Sequence, residues 1–151
     1  MINRVPIEAM YPIISEMIES NGTVKMLVSG YSMQPMIYHA RDTVTLCKAQ
    51  LPLKKYEIPL FRQEDGKFVM HRVVRINKDG TYRCRGDNSR NIEDNIRDDQ
   101  VIAVVKSFNR KGKEIVIGKS AGYWLYTRVW PFLYPFKKYY KYVRKFNIFK
   151  K

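Results

Sequence analysis

A serine stands at a bend in the stretch Gly30-Tyr31-Ser32-Met33-Gln34-Pro35-Met36-Ile37. Gly30 can take backbone angles closed to other residues and lets a second chain approach closely. Pro35 fixes its own φ and pushes Gln34 toward an extended shape. Together they describe a rigid turn with a hydroxyl at its tip, which a nucleophilic serine needs. The ordinary reading of the same residues is a plain turn over a buried methionine. A serine hydroxyl attacks a carbonyl only when a base takes its proton, and histidine suits that task near neutral pH. The chain has two histidines. His71 is the centre of the strand-like run Val69-Met70-His71-Arg72-Val73-Val74-Arg75. In one alternating strand Val69, His71 and Val73 share a face, which puts the base among apolar neighbours. His39, in Tyr38-His39-Ala40-Arg41, reads as an exposed loop residue.

An imidazole base also needs an acceptor that fixes its tautomer and stabilises its cation. Asp87, in Arg85-Gly86-Asp87-Asn88-Ser89, and Asp94, which follows Glu93, are the two candidates. Asp87 could instead close an Asx turn on its own backbone. The oxyanion formed on acyl attack needs donors. The backbone N–H of Ser32 is the first, and the second is left open between another backbone group and Ser29.

The order Ser32-Met33-x-Pro35, then His71-Arg72-Val73, then Gly86-Asp87-Asn88 resembles the type I signal peptidase and LexA-like serine peptidases over residues 24–105. A histidine in this place looks like the archaeal and endoplasmic-reticulum signal peptidases, whereas bacterial relatives usually carry lysine there. The resemblance implies a serine endopeptidase with a Ser-His(-Asp) mechanism and a coiled antiparallel β fold. It carries over Ser32 as nucleophile and His71 as base. Asp94 lies near the family's triad aspartate, at a spacing one residue longer, and is favoured as the orienting acid with Asp87 supporting the site. Some relatives place an oxyanion-donating serine two residues before the nucleophile, where this chain has Gly30. The family's usual N-terminal membrane span is missing. Two other readings remain: a peptide-binding pseudoenzyme, and a LexA-like self-cleaving regulator, the latter without a visible DNA-binding helix pair or small-residue cleavage loop.

The elements that must position these residues are short. Residues 6–20 form an amphipathic helix with Ile7, Met10, Ile14, Met17 and Ile18 on one face, and Asn21-Gly22 as its stop. Pro12 removes an internal hydrogen bond or marks the true first turn. Strands are predicted at 23–29, 43–46, 58–62, 68–76, 81–85, 101–108 and 114–117. Asp65-Gly66 and Asp79-Gly80 mark hairpins. Seven short strands after one helix predict a mainly β (α+β) domain with antiparallel pairing.

The 151 residues divide by composition into a β domain with its N-terminal helix, 1–118, and a basic aromatic tail, 119–151. The net charge of +14 predicts attraction to an anionic surface, phospholipid or nucleic acid. The tail holds nine Lys or Arg and no acid, which leaves +5 for the rest, and twelve of the twenty aromatic residues. Trp124, Trp130, Phe132, Tyr134 and Phe136 precede Lys137, Lys138, Lys141, Arg144 and Lys145. Such rings favour the headgroup level of a membrane and lysines attract anionic lipid. Pro131 and Pro135 predict two short helical pieces lying on the surface. Packing of some aromatics onto the β domain ranks second and single-stranded nucleic acid last. Cys47 and Cys84 form neither a metal spacing nor a disulfide framework, so two free thiols in a reducing compartment are expected. No signal peptide and no run of about 18 apolar residues is visible. The chain is therefore expected in the cytoplasm, peripheral on a membrane, with a peptide or protein substrate and no cofactor or metal.

Overall fold

The computed structural model describes residues 7–136, with side chains from Tyr11 onward. Helix α1 (Ile7–Asn21) runs straight through Pro12 and packs Ile14 and Ile18, one turn apart, into the core. Met17 is more than a third exposed, and the side chains of Ile7 and Met10 lie outside the described residues. The helix stops at the expected place, where the Gly22 N–H donates to Ile18 O at 3.0 Å.

Nine strands follow among the described residues: β1 (Thr23–Leu27), β2 (Thr43–Cys47), β3 (Pro59–Arg62), β4 (Phe68–Met70), β5 (Arg72–Ile76), β6 (Tyr82–Arg85), β7 (Ile92–Ile96), β8 (Val101–Arg110) and β9 (Lys113–Val116). Every pairing is antiparallel, and the chain is mainly β with two α-helices. One sheet runs β1-β2-β8-β3-β4 with β9 on β8, and the second runs β5-β6-β7. The long β8 serves two apolar clusters because successive side chains point to opposite faces. Ala103 and Val105 join Ile14, Val24, Leu46 and Met33 in the first, and Val104 joins Phe61, Val73 and Tyr82 in the second.

Two elements differ from the sequence expectation. The run 68–76 is two strands, not one: β4 pairs with β3 and β5 with β6, and the chain changes sheets at His71. The change is fixed by Val73, whose N–H donates to Glu57 O at 2.9 Å and whose carbonyl accepts from Tyr56 N–H at 2.8 Å. His71 therefore sits at a corner rather than in mid-strand. The second difference is β7, which the sequence did not announce. Its residues Ile-Glu-Asp-Asn-Ile bury only Ile96, as an edge strand can. A register shift against β6 is accommodated where Asn95 takes φ 58°.

Helix α2 (Ala121–Leu133) begins at Ser120, whose Oγ accepts the Tyr123 N–H at 3.0 Å. It continues through Pro131, so the expected break does not occur there, and a short 3-10 turn (Tyr134–Phe136) follows. Tyr123 and Thr127 are buried against the β body. The composition change at 118/119 is thus no gap in contact: the described part of the tail is packed on one face. Lys137, Lys138, Lys141, Arg144 and Lys145 lie outside the described residues. No helix among the described residues is long and apolar enough to cross a membrane. Cys47 is half-buried, Cys84 is buried, and both are free thiols.

Candidate active site

The chain leaves β1 into the turn that carries Ser32. Gly30 has φ +100°, a conformation that side chains with a Cβ rarely adopt. Its N–H donates to His39 Nδ1 at 3.1 Å, and the His39 ring lies 4.7 Å from that of Tyr31. His39 is thus a half-buried splint of the serine turn and not a loose loop residue. Met33, Met36 and Ile37 are buried beneath and hold the turn to the first cluster, while Ser32 itself stays partly open.

His71 is 7% exposed, at the corner between β4 and β5. Its Nδ1 lies 2.7 Å from Glu93 Oε2. A carboxylate can only accept, so Nδ1 donates, and in the neutral ring Nε2 is the nitrogen that carries the lone pair. The space beside Nε2 is shared with Ser32 and Gly86. A Cβ added to Gly86 would lie 2.9 Å from His71 Nε2, 2.9 Å from Ser32 Cβ and 2.8 Å from Ser32 O. Ser32 Cβ and His71 Nε2 are therefore no farther apart than twice 2.9 Å, and they approach only because residue 86 has no side chain. The imidazole thus lies between the Glu93 carboxylate, which it bonds, and the serine turn, which it faces across the gap at Gly86.

The acid differs from both aspartates expected. Asp94 does not orient His71: it accepts from Arg83 Nε at 2.9 Å and from Asn77 Nδ2 at 3.0 Å. Arg83 and then Asn77 hold its carboxyl well below the usual carboxylate range. Glu93 and Asp94 are neighbours on β7, and neighbours on a strand point to opposite faces. The extra residue in the spacing to Asp94 was the signal that pointed to Glu93. Asp87 also makes no bond to His71. It receives Arg72 on both oxygens, Nε on Oδ1 at 2.8 Å and Nη2 on Oδ2 at 2.7 Å. Burial alone would lower the Arg72 pKa, but the Asp87 charge and hydrogen bonds outweigh it, so the guanidinium stays charged.

Asp87 is instead tied to the serine turn through the next residue in the chain and to helix α2 through its carbonyl and carboxylate. Asn88 N–H donates to Ser32 O at 2.7 Å and Asn88 Nδ2 to Tyr31 O at 3.1 Å, clamping the serine turn. Helix α2 holds the clamp from outside. Trp130 Nε1 donates to Asp87 O at 2.7 Å, Tyr126 O–H to Asp87 Oδ2 at 3.1 Å and Tyr134 O–H to Asn88 O at 3.3 Å. Arg72 also bonds Tyr123, whose O–H donates to Tyr56 O at 2.5 Å.

Ser32 and His71 open on a cleft of about 220 Å³ walled by residues 28–30 on one side and 68–70 on the other. The first wall continues β1 and the second is β4, the two ends of the path β1-β2-β8-β3-β4 through the large sheet. The sheet therefore curls until these ends face each other across the cleft. Ser29 lines it, as does Met33 at its floor. Cys84, opposite Glu93 in the ladder, is no competing nucleophile: burial, with Glu93 and Asp94 adding to it, pushes its thiol up to about 12. In comparisons with known proteins, no family model, no curated protein and no solved structure matched this chain.

Proposed function

We propose that this protein is a serine endopeptidase of the signal peptidase and LexA-like kind, working peripherally on a membrane surface. One observation carries the reading: Glu93 holds one nitrogen of His71 at 2.7 Å, and the other nitrogen shares with Ser32 the gap left by Gly86. The motif order of Ser32, His71 and Gly86-Asp87-Asn88 and the curled antiparallel sheet support the family resemblance. The substrate is an extended peptide lying in the cleft along the open edge of β4, where backbone hydrogen bonds are free to pair. Ser32 Oγ attacks the scissile carbonyl carbon as Nε2 of His71 takes its proton. The backbone N–H of Ser32 receives the oxyanion, and Ser29, which lines the cleft, supplies the second donor. His71 returns the proton to the departing amine. Water, deprotonated by His71, then releases the acyl group and restores Ser32. The membrane part of the reading rests on α2, whose outer face exposes Trp124, Leu125 and Phe132.

The test is labelling by a fluorophosphonate probe together with hydrolysis of a diverse peptide mixture. The expected outcome is one label per chain on Ser32, absent in Ser32→Ala and in His71→Ala, with cleavage lost in both while circular dichroism is unchanged. Cleavage at the original rate by a folded Ser32→Ala protein defeats the assignment.

A further inference from the structure

We propose that the cleft between α2 and the β5–β6 hairpin seats the phosphate of an anionic phospholipid while the outer face of α2 enters the lipid. The proposal rests on the reading that the protein works at a membrane, and it names the contact. The cleft measures about 270 Å³ and lies away from Ser32. Four cations and one carboxylate, Asp87, line it; besides Arg72 the cations are the three residues Lys55, Arg85 and Arg128, among the rings of Tyr126, Trp130 and Phe132. Among the described residues none of the three makes an ion pair with a carboxylate. They lie instead over aromatic faces. Lys55 Nζ is 5.0 Å from the Tyr56 ring, Arg85 Cζ 5.4 Å from Tyr134, and Arg128 Cζ 4.1 Å from Trp124. A cation stacked on a ring keeps N–H groups for another acceptor, although Arg128 already spends one, Nη1 on Trp124 O at 3.2 Å. Arg72, in the same wall, is already committed to Asp87.

The cationic cleft is continuous with an apolar face through Phe132, which borders the cleft and is 77% exposed. Leu125, Val129, Phe132, Leu133 and Phe136 recur at helical spacing, and all are more than two-fifths exposed. A contiguous exposed face of this kind marks an interaction surface. Charge decides its partner. Residues 137–151, which follow directly in the sequence, carry seven more Lys or Arg and no acid. Cations beside an apolar face with tryptophans between them match the layering of an anionic bilayer, phosphate outside and hydrocarbon within. Single-stranded nucleic acid would instead stack its bases on rings in a groove that tracks a backbone.

The test is sedimentation of the full chain with vesicles of phosphatidylcholine, alone or mixed with phosphatidylglycerol, with thermal melts to confirm folding. The full chain is expected to prefer the mixed vesicles. Lys55→Gln/Arg128→Gln should weaken that binding about fivefold for each charge removed. A control, Lys111→Gln/Lys113→Gln on the β8–β9 hairpin, which does not line the cleft, should change it much less. Phe132→Ser/Leu133→Ser should reduce binding to both kinds of vesicle. Equal losses in the cleft and control pairs overturn the headgroup site and leave the membrane reading standing. Full binding by the Phe132→Ser/Leu133→Ser protein overturns the inserted face. Failure of the full chain to bind either vesicle overturns both the site and the membrane reading, without touching the labelling of Ser32. Binding to a single-stranded oligonucleotide that depends on Lys55 and Arg128, with no vesicle binding, overturns it in favour of nucleic acid.

Discussion

Gly86 stands against His71 so closely that a methyl group on its Cα would lie 2.9 Å from the imidazole Nε2. The same methyl would meet Ser32 O at 2.8 Å, a backbone atom held by Asn88 N–H. Neither neighbour is the loose end of a flexible side chain. Gly86→Ala must therefore push the serine turn and the imidazole apart. A displacement of about 1 Å costs roughly 100-fold in rate, and overpacking costs about 1–3 kcal/mol of stability. Peptide hydrolysis and urea unfolding measure the two. Full activity in Gly86→Ala would show that this gap is not where the reaction occurs.

Glu93 and Asp94 are adjacent in sequence and differ in partner, His71 for the first and Arg83 and Asn77 for the second. Glu93→Gln keeps the shape but lets the amide favour the wrong tautomer of His71. The expected loss is about 10³–10⁴-fold in kcat. Asp94→Asn loosens Arg83 and Asn77 on the outer face of β7, and the rate should stay close to that of the unmodified protein. Losses of equal size in both variants would return the orienting role to Asp94.

Ser32 and His71 were legible as candidates because each sits in a local pattern, Ser32 between a glycine and a proline and His71 in an apolar run. The antiparallel β class was legible from the turns at Asp65-Gly66 and Asp79-Gly80. Glu93 left only the one-residue excess in the spacing to Asp94 as a sign, because choosing between adjacent acids otherwise requires knowing that 92–96 is a strand and which way it faces. That strand has one buried residue and so little apolar period. The break at His71 was hidden for the opposite reason: apolar residues continue on both sides while the chain moves from one sheet to the other. Composition placed the tail's charge, but the hydrogen bonds from Tyr126 and Trp130 to Asp87 are long-range and leave no mark in local spacing.

Tyr123 makes stability depend on alkaline pH. Burial, more than any other influence, raises its hydroxyl from an ordinary 10.0 to about 12. An unfolded tyrosine ionises first, so the stabilisation is whole below pH 10 and is lost as pH rises toward 12. The slope contributed by one such group reaches about 1.4 kcal/mol per pH unit. Tyr126 is shifted the same way, burial again leading. Urea unfolding between pH 10 and 12 should be less steep in pH for Tyr123→Phe than for the unmodified chain, whatever the variant's stability at pH 7. An unchanged slope would show that Tyr123 titrates normally.

Helix α2 is part of the site's frame as well as its outer surface. Removal of residues 119–151 takes away Tyr123, which is 3% exposed, and the donors that Tyr126 and Trp130 offer to Asp87. Loss of a buried ring of that size costs about 3–5 kcal/mol. The buried Arg72–Asp87 pair would then meet water, and the Asn88 clamp on Ser32 O would lose its support. The 1–118 fragment is expected to melt at lower temperature and to hydrolyse peptide poorly. A chain ending at Phe136 keeps every one of those contacts, so it should melt at a higher temperature and hydrolyse soluble peptide faster than the 1–118 fragment. It lacks seven basic residues, so its binding to phosphatidylglycerol vesicles should fall. Each cation near the surface contributes ~1 kcal/mol, and salt should weaken what remains only in part, since the apolar face is not screened. A 1–118 fragment with full activity and stability would make α2 an anchor alone and remove it from the frame of the site.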